Sequence, residues 1–237
     1  MKIIQQNLGR IPERIPQIMN TVLKFCPDVI FFEEFCYPLH KHSVLDVLAA
    51  NGYSTNLPVD FPAEAKISAK WNACCVIAWN SKTLSFMQAE RTMIIQKCRY
   101  IEGVITDRLT NTSFPCFFGY VQQCYDGGDR KIKNKANMLT AIIQFKKEHA
   151  NRPFFIGGDL NTDISSPHAK CRELMEVILD NATNTYVGVT WNSEQLDYAI
   201  ISNCLNDKCC CKTTPIKETG SDHIALCTEI RFETNEK

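Results

Sequence analysis

The chain has 237 residues, of which 45% are hydrophobic and 22% charged, and its 26 Lys and Arg balance its 26 Asp and Glu to a formal net charge of zero. That length fits one large domain whose core needs no disulfide or metal staple, and the apolar content excludes disorder as the main state. Zero net charge excludes a protein that grips nucleic acid by bulk positive charge, because non-specific affinity of that kind is mostly phosphate neutralisation by Lys and Arg.

Taken in chain order, residues 2–6 (KIIQQ) read as a short strand, and Ile11, Ile15, Ile18, Met19, Val22 and Leu23 recur at helical spacing on one face. A buried strand follows at 29–32, and 43–50 reads as a helix that Asn51 and Gly52 end. The middle is rich in strands: 74–79, 84–89, 100–107 and 117–122 are short apolar or β-branched runs parted by polar turns. Residues 134–149 return to a helical pattern through Met138, Leu139, Ile142, Ile143 and Phe145. A strand at 153–156, a helix at 171–179 and strands at 195–202 and 225–232 follow. Helices at intervals among many strands predict helix layers outside and sheets inside. No repeat, low-complexity tract or linker interrupts the pattern, so a single domain over 1–237 is expected.

No apolar run approaches the about 20 residues that span a bilayer, and MKIIQQNLGR is neither a signal peptide nor an anchor, so no membrane partner is expected. Thirteen cysteines would suggest a disulfide framework in a small secreted domain. Here Cys74, Cys75, Cys116 and Cys227 lie inside apolar stretches, which reads as buried free thiols in a reducing intracellular compartment, cytoplasm or nucleus. The cluster Cys204, Cys209, Cys210 and Cys211 lacks the paired spacing of a zinc site.

Four segments share one property: an apolar strand is joined to a group of acid, amide or imidazole side chains. They are IIQQN ending at Asn7, PDVIFFEE ending at Glu34, FFIGGDLN with Asp159 and Asn161, and GSDH with Asp222 and His223 just before the strand IALCTEI. Carboxylates at a sheet edge are placed to converge on a hard cation such as Mg²⁺. Singly, each segment also reads as a turn, a cap or a solvated loop start.

In this order, and with LDYAIIS at Leu196–Ser202 between the last two, the segments resemble the endonuclease/exonuclease/phosphatase superfamily from Asn7 to Ile230. The C-terminal motifs are most similar to the exonuclease III-type apurinic endonucleases and the retrotransposon endonucleases. The resemblance implies an α/β fold, a four-layer αββα sandwich of two packed, mostly antiparallel sheets flanked by helices. It implies a Mg²⁺ (or Mn²⁺) site at Glu34, with Asn7 and Asp222 near the same ion. Asp159 and Asn161 would orient or deprotonate the attacking water, His223 would stabilise the phosphoryl oxygen, and Asp197 would hold the His223 ring. Hydrolysis of a phosphodiester needs such a set: neutralised phosphoryl charge, a positioned water and help for the leaving alkoxide. Glu34 is preferred to Glu33 because it lies seven positions after Pro27, as in the family pattern.

The chain departs from that pattern in two places. Many members carry a second catalytic His at the end of the central strand; this chain has FFGYVQQCY there, where Tyr120 and Gln123 match the Tyr and Asn of the apurinic branch with Gln in place of Asn. Gln123 can hydrogen-bond but cannot transfer a proton, so Tyr120, or a metal-bound water, would assist the leaving group. NLG at Asn7–Gly9 also lacks the acidic residue that the apurinic enzymes place two after the Asn. For the substrate, Arg130 and Lys131, in a basic run with Lys133 and Lys135, could hold flanking phosphates, and Trp71 with Asn72 falls where relatives present a substrate-contacting residue. The expected activity is a metal-dependent phosphodiesterase, a DNA nuclease before a phosphatase or phosphodiesterase acting on a phosphoprotein adduct, phospholipid or inositol phosphate. A decayed binding module is the third reading. The expected partner is nucleic acid, DNA before RNA, and the expected state a monomer.

Overall fold

A computed structural model describes residues 1–9, 11–56, 74–89, 97–123, 128–165, 168–206 and 209–232. The chain runs through β1 (Lys2–Asn7), α1 (Ile15–Lys24), β2 (Val29–Phe35), the short helices α2 (Tyr37–His40) and α3 (Val47–Ala50), β3 (Tyr53–Asn56), β4 (Cys74–Asn80), β5 (Leu84–Gln88), β6 (Tyr100–Asp107) and β7 (Ser113–Gly119). It continues through α4 (Asp129–Glu148), β8 (Phe155–Asp159), α5 (Ala169–Leu179), β9 (Ala182–Asn184), β10 (Asp197–Ser202), α6 (Asn203–Asn206), β11 (Cys209–Ile216) and β12 (Ala225–Phe232). Two six-stranded sheets result, ordered β11-β12-β1-β2-β4-β3 and β5-β6-β7-β8-β10-β9.

Pairing is antiparallel except at β1–β2 and β7–β8. Each parallel pair needs a crossover, which α1 and α4 supply. The strand period of two then sorts the side chains. Ile3, Val29 and Phe31 face the second sheet and meet Phe118, Phe155 and Ala199 in the central core. Ile4, Ile30 and Phe32 turn outward under Ile15, Ile18, Met19 and Val22 of α1, while Phe117, Ile156 and Ile200 turn outward under α4 and α5. Sheets on the inside and helices on both outer faces make the αββα sandwich. Among the described residues no helix is long and apolar enough to cross a membrane.

Four strands differ from the sequence reading. The strand expected at 117–122 is Ser113–Gly119 and ends three residues earlier, where the backbone N–H of Val121 leaves the ladder for the Asp159 carbonyl. β3, β9 and β11 have no counterpart in it. β11 holds Cys209–Cys211 and Pro215, a proline that an edge strand tolerates because its missing N–H faces no partner.

Candidate active site

The topology itself gathers the candidate residues. Asn7 and Glu33 end a parallel pair in register, Asp159 ends β8 beside the end of β7, and the antiparallel β10 begins at Asp197 directly opposite Asp159. His223 and Asp222 precede β12, which runs antiparallel to β1. All of these ends therefore lie at one edge of the sandwich, the carboxyl end of its parallel strands, where open α/β sheets form their clefts.

Close approach of the two sheets here depends on glycines. A Cβ on Gly157 would clash with the Gln5 amide, which reaches across to donate from Nε2 to the Tyr198 carbonyl at 2.8 Å. A Cβ on Gly158, at φ +116°, would clash with the Gly119 carbonyl. The Gly157-Gly158-Asp159 run is thus a site of strand-to-strand approach inside the sandwich. With these contacts Asp159 is carried to the floor of the cleft.

Glu33 and Glu34 part at a β-bulge. The β2–β4 register shifts between Phe32 and Phe35, and Glu34 takes φ +54°, in the left-handed region that non-glycine residues seldom adopt. Glu33 is consequently turned between the sheets and fully buried, its Oε1 accepting from the Asp159 backbone N–H at 3.2 Å. Burial first, then the Asp197 and Asp159 charges, raises its pKa well above the carboxylate range. Glu34 instead reaches the cleft, where its Oε1 accepts from the Tyr120 hydroxyl at 2.7 Å. The sequence reading chose the half-buried member of the pair, the one that lines the cleft.

The cleft has a volume of about 380 Å³, and Asn7, Glu34, Gln123, Trp191, Asp222 and His223 are among the residues lining it. On its floor the His223 ring meets Asp197, Nδ1 to Oδ2 at 3.0 Å, both side chains being buried. Asp197 is held by Thr190, whose hydroxyl accepts from the Leu196 and Asp197 N–H groups at 2.9 and 3.0 Å. Burial lowers the pKa of the His223 ring, but the Asp197 hydrogen bond and charge, with Asp159 and Asp222, overcome it and raise the ring to about 9. The imidazole is thus a cation at neutral pH.

Asp159 faces this pair. Its Oδ1 accepts from the Asn161 backbone N–H and its Oδ2 from Asn161 Nδ2, each at 2.8 Å, with Asn7 Nδ2 at 3.5 Å. Asn161 sits at φ +47° and also donates from Nδ2 to the Val121 carbonyl at 2.9 Å. Burial and then Asp197 raise the Asp159 pKa, with His223 opposing, so this carboxylate is more basic than an ordinary one.

The donor set fits a hard cation. Glu34, Asn7 and Asp222 offer oxygen atoms to one cleft, and the Asn7 loop is shaped against Asp222: Gly9 donates to Asn7 Oδ1 at 2.9 Å, and a Cβ there would touch Asp222 Oδ1 at 3.4 Å. Ligand atoms of Asp159, Asp197 and His223 also lie within 4.8 Å of one another, but the hydrogen bond between Asp197 and His223 already occupies that trio.

Tyr120 is 5% exposed, and burial first, then Glu34, raises its phenol pKa while Arg99 opposes. Gln123 is exposed and lines the cleft. Arg130 and Lys131 lie on the first turn of α4 and are not among the described residues that line the cleft; Trp71 and Asn72 lie outside the described residues. Beyond Thr190 and Glu33, the sequence reading missed further contributors. Ser221 donates from Oγ to the Asn7 carbonyl at 2.7 Å, Trp191 lies beside the His223 ring with centroids 6.1 Å apart, and Arg14 lines the cleft. The Arg99 guanidinium covers the Tyr120 ring at 4.6 Å. Ser221 and Trp191 could have been found from their places inside GSDH and beside Thr190; Arg14 and Arg99 carry no such signal.

No protein-family model and no curated protein matches the sequence. Solved structures do match its fold. The human Nocturnin catalytic domain with bound sulfate has a TM-score of 0.74 at 14% identity, covering 98% of this chain and 94% of that one. This chain has the fold of the endonuclease/exonuclease/phosphatase proteins. An AP endonuclease from Archaeoglobus fulgidus has a TM-score of 0.70 at 16% identity, covering 97% and 99%. A mannosyl-6-phosphatase from Bacteroides thetaiotaomicron has a TM-score of 0.68 at 15% identity, covering 98% and 100%. Proteins of unlike substrates thus share this fold, so a substrate has to be argued from the site.

Proposed function

We propose that this chain is a divalent-cation-dependent phosphodiesterase of the endonuclease/exonuclease/phosphatase superfamily that hydrolyses nucleic acid, DNA before RNA. The observation that carries this reading is the buried Asp197–His223 pair at 3.0 Å beside an Asp159 held by Asn161, on the floor of a cleft rimmed by Glu34 and Asp222. In this reading Asp159 takes a proton from a water attacking phosphorus, and the Asn161 hydrogen bonds keep the carboxylate aimed. The P–O bond to the leaving alkoxide breaks as the new one forms, and the alkoxide takes its proton from solvent water. The His223 cation donates to the phosphoryl oxygen on which charge builds, and Asp197 fixes its ring and its protonation. A Mg²⁺ or Mn²⁺ ion held by Glu34, Asn7 and Asp222 would supply further neutralisation of phosphate charge. In this reading Tyr120 orients Glu34, and Gln123 offers a hydrogen bond to the departing oxygen.

A second reading, a phosphatase of small phosphate esters, is favoured by one observation. Among the described residues that line the cleft, Arg14 is the one Lys or Arg, and a small phosphate ester needs fewer cations than a long polyanion does. The deciding experiment is Mg²⁺-dependent turnover of duplex DNA, duplex with one abasic site, single strands of DNA and RNA, and a phosphomonoester, each beside His223→Ala and Asp159→Ala. Cleavage of a nucleic acid that falls by about 10²-fold or more in both variants, with folding intact, is expected. Losses under about tenfold in both would sink the assignment, and turnover of the phosphomonoester alone would move the protein to the second reading.

A further inference from the structure

We propose that Lys135 is a positioning residue of this site, a buried cation that holds the Asn161 peptide so that the Asn161 amide stays on Asp159. Its kinetic consequence rests on the phosphodiesterase reading above; its geometry does not. In sequence Lys135 closes a basic run that reads as a solvated face, yet its side chain is 4% exposed in the second turn of α4. A lysine is almost never so buried unless paired. Among the described residues Lys135 has no carboxylate partner, and its ammonium donates to the Asn161 carbonyl oxygen.

The recipient explains the placement. Asn161 is held at φ +47°, a conformation that costs a non-glycine residue energy and persists only where its surroundings enforce it. In that conformation its N–H and Nδ2 both face Asp159, and its carbonyl points the other way, to Lys135. The preceding residue, Asn134, donates from Nδ2 to Gln122 Oε1 at 3.2 Å, beside Gln123 in the cleft wall. Consecutive residues of α4 therefore brace the two loops that follow β7 and β8, which are themselves joined by the Asn161 bond to the Val121 carbonyl. Stability alone gives little reason for a buried ammonium with no carboxylate beside it, since taking an unpaired charge out of water is itself costly.

The test uses the full chain with Lys135→Met and Lys135→Arg, alone and in an Asn161→Ala background. Lys135→Met is expected to lower kcat by about 10- to 100-fold, as small misplacements at a reacting centre do, with KM within about twofold and Tm unchanged or higher. Lys135→Arg should recover most of kcat, and Lys135→Met should cost less once Asn161 is Ala, because the side-chain amide it positions is gone and only the residue 161 N–H still reaches Asp159. Wild-type kcat in Lys135→Met, or an undiminished loss in the Asn161→Ala background, would overturn the proposal. Hydrogen exchange at residues 160–162 gives a readout that needs no turnover. Faster exchange in Lys135→Met supports the brace even if the wild type cleaves none of the substrates offered, a result that would fail the phosphodiesterase reading alone; unchanged exchange rejects the brace. Should the Met variant not fold, Lys135→Gln, whose shorter, uncharged side chain lacks the reach and the charge of the ammonium, takes its place with the same outcomes.

Discussion

The Tyr120 hydroxyl donates to Glu34 Oε1 at 2.7 Å, and its ring lies under the Arg99 guanidinium. A phenol has one proton, and this one is committed to a carboxylate. Tyr120→Phe keeps the ring under Arg99 and removes one hydrogen bond to Glu34. The expected result is a higher Mg²⁺ requirement with a kcat loss of about tenfold or less at saturating Mg²⁺, the equivalent of about 1.4 kcal/mol. A larger kcat loss at an unchanged Mg²⁺ titration would return Tyr120 to the leaving group. His40 gives a residue-scale prediction for stability. The Cys36 N–H donates to His40 Nδ1 at 3.1 Å, which leaves the proton on a buried Nε2, and burial lowers the ring pKa to about 4 from 6.5. The unfolded chain then binds a proton that the fold refuses, so this ring costs stability as pH falls from about 6.5 towards 4 and costs nothing above it. Urea midpoints at pH 7 and 4.5 should differ less in His40→Gln than in the wild type, by up to about 3 kcal/mol in ΔG.

At the scale of the element, the bulge in β2 turns two adjacent glutamates to opposite duties. Glu33 is the buried one, with Oε2 lacking a hydrogen-bond partner among the described residues. Its pKa is raised in the fold, so its contribution to stability is present below the ordinary value of 4.5 and lost as pH rises above it. Glu33→Gln keeps an acceptor for the Asp159 N–H and removes the buried charge. Thermal melts in chelator should show a higher Tm for the variant at pH 8, and a smaller rise at pH 5. A lower Tm at pH 8 would mean that Glu33 is paired with a cation.

The same bulge marks the limit of what the sequence discloses. Strand ends that carry Asn7, Glu34, Asp159, Asp197 and His223 are legible because apolar runs are short and stop at polar groups, and five separate stops in one order are hard to produce otherwise. The left-handed turn at Glu34 leaves no such mark, since no glycine announces it. Lys135 is missed for a related reason: charge in a run reads as solvated, and only the packing of α4 on the β8 loop buries it. β11 escapes because its Cys and Pro residues carry weak strand signals, although its alternate positions are buried.

At the scale of the whole molecule, the balanced charge meets a cleft in which the described cations are Arg14 and the His223 ring. Counterion release scales with the number of phosphates neutralised, with a log–log slope of about −0.7 per phosphate on a single strand. Two cations at the cleft predict a slope of about −1.4 for kcat/KM on a single-stranded oligonucleotide, far shallower than for a protein that lays a basic face along a duplex. If Arg130 and Lys131 on the first turn of α4 hold flanking phosphates, the slope steepens to about −2.8, and Arg130→Ala with Lys131→Ala restores the shallow value. A small phosphodiester should respond to salt far less, since it ends before α4 is reached. Equal salt dependence for the oligonucleotide and the small ester would mean that the enzyme reads one phosphate and its immediate neighbours, which is the behaviour of a phosphatase-like site on a nuclease fold.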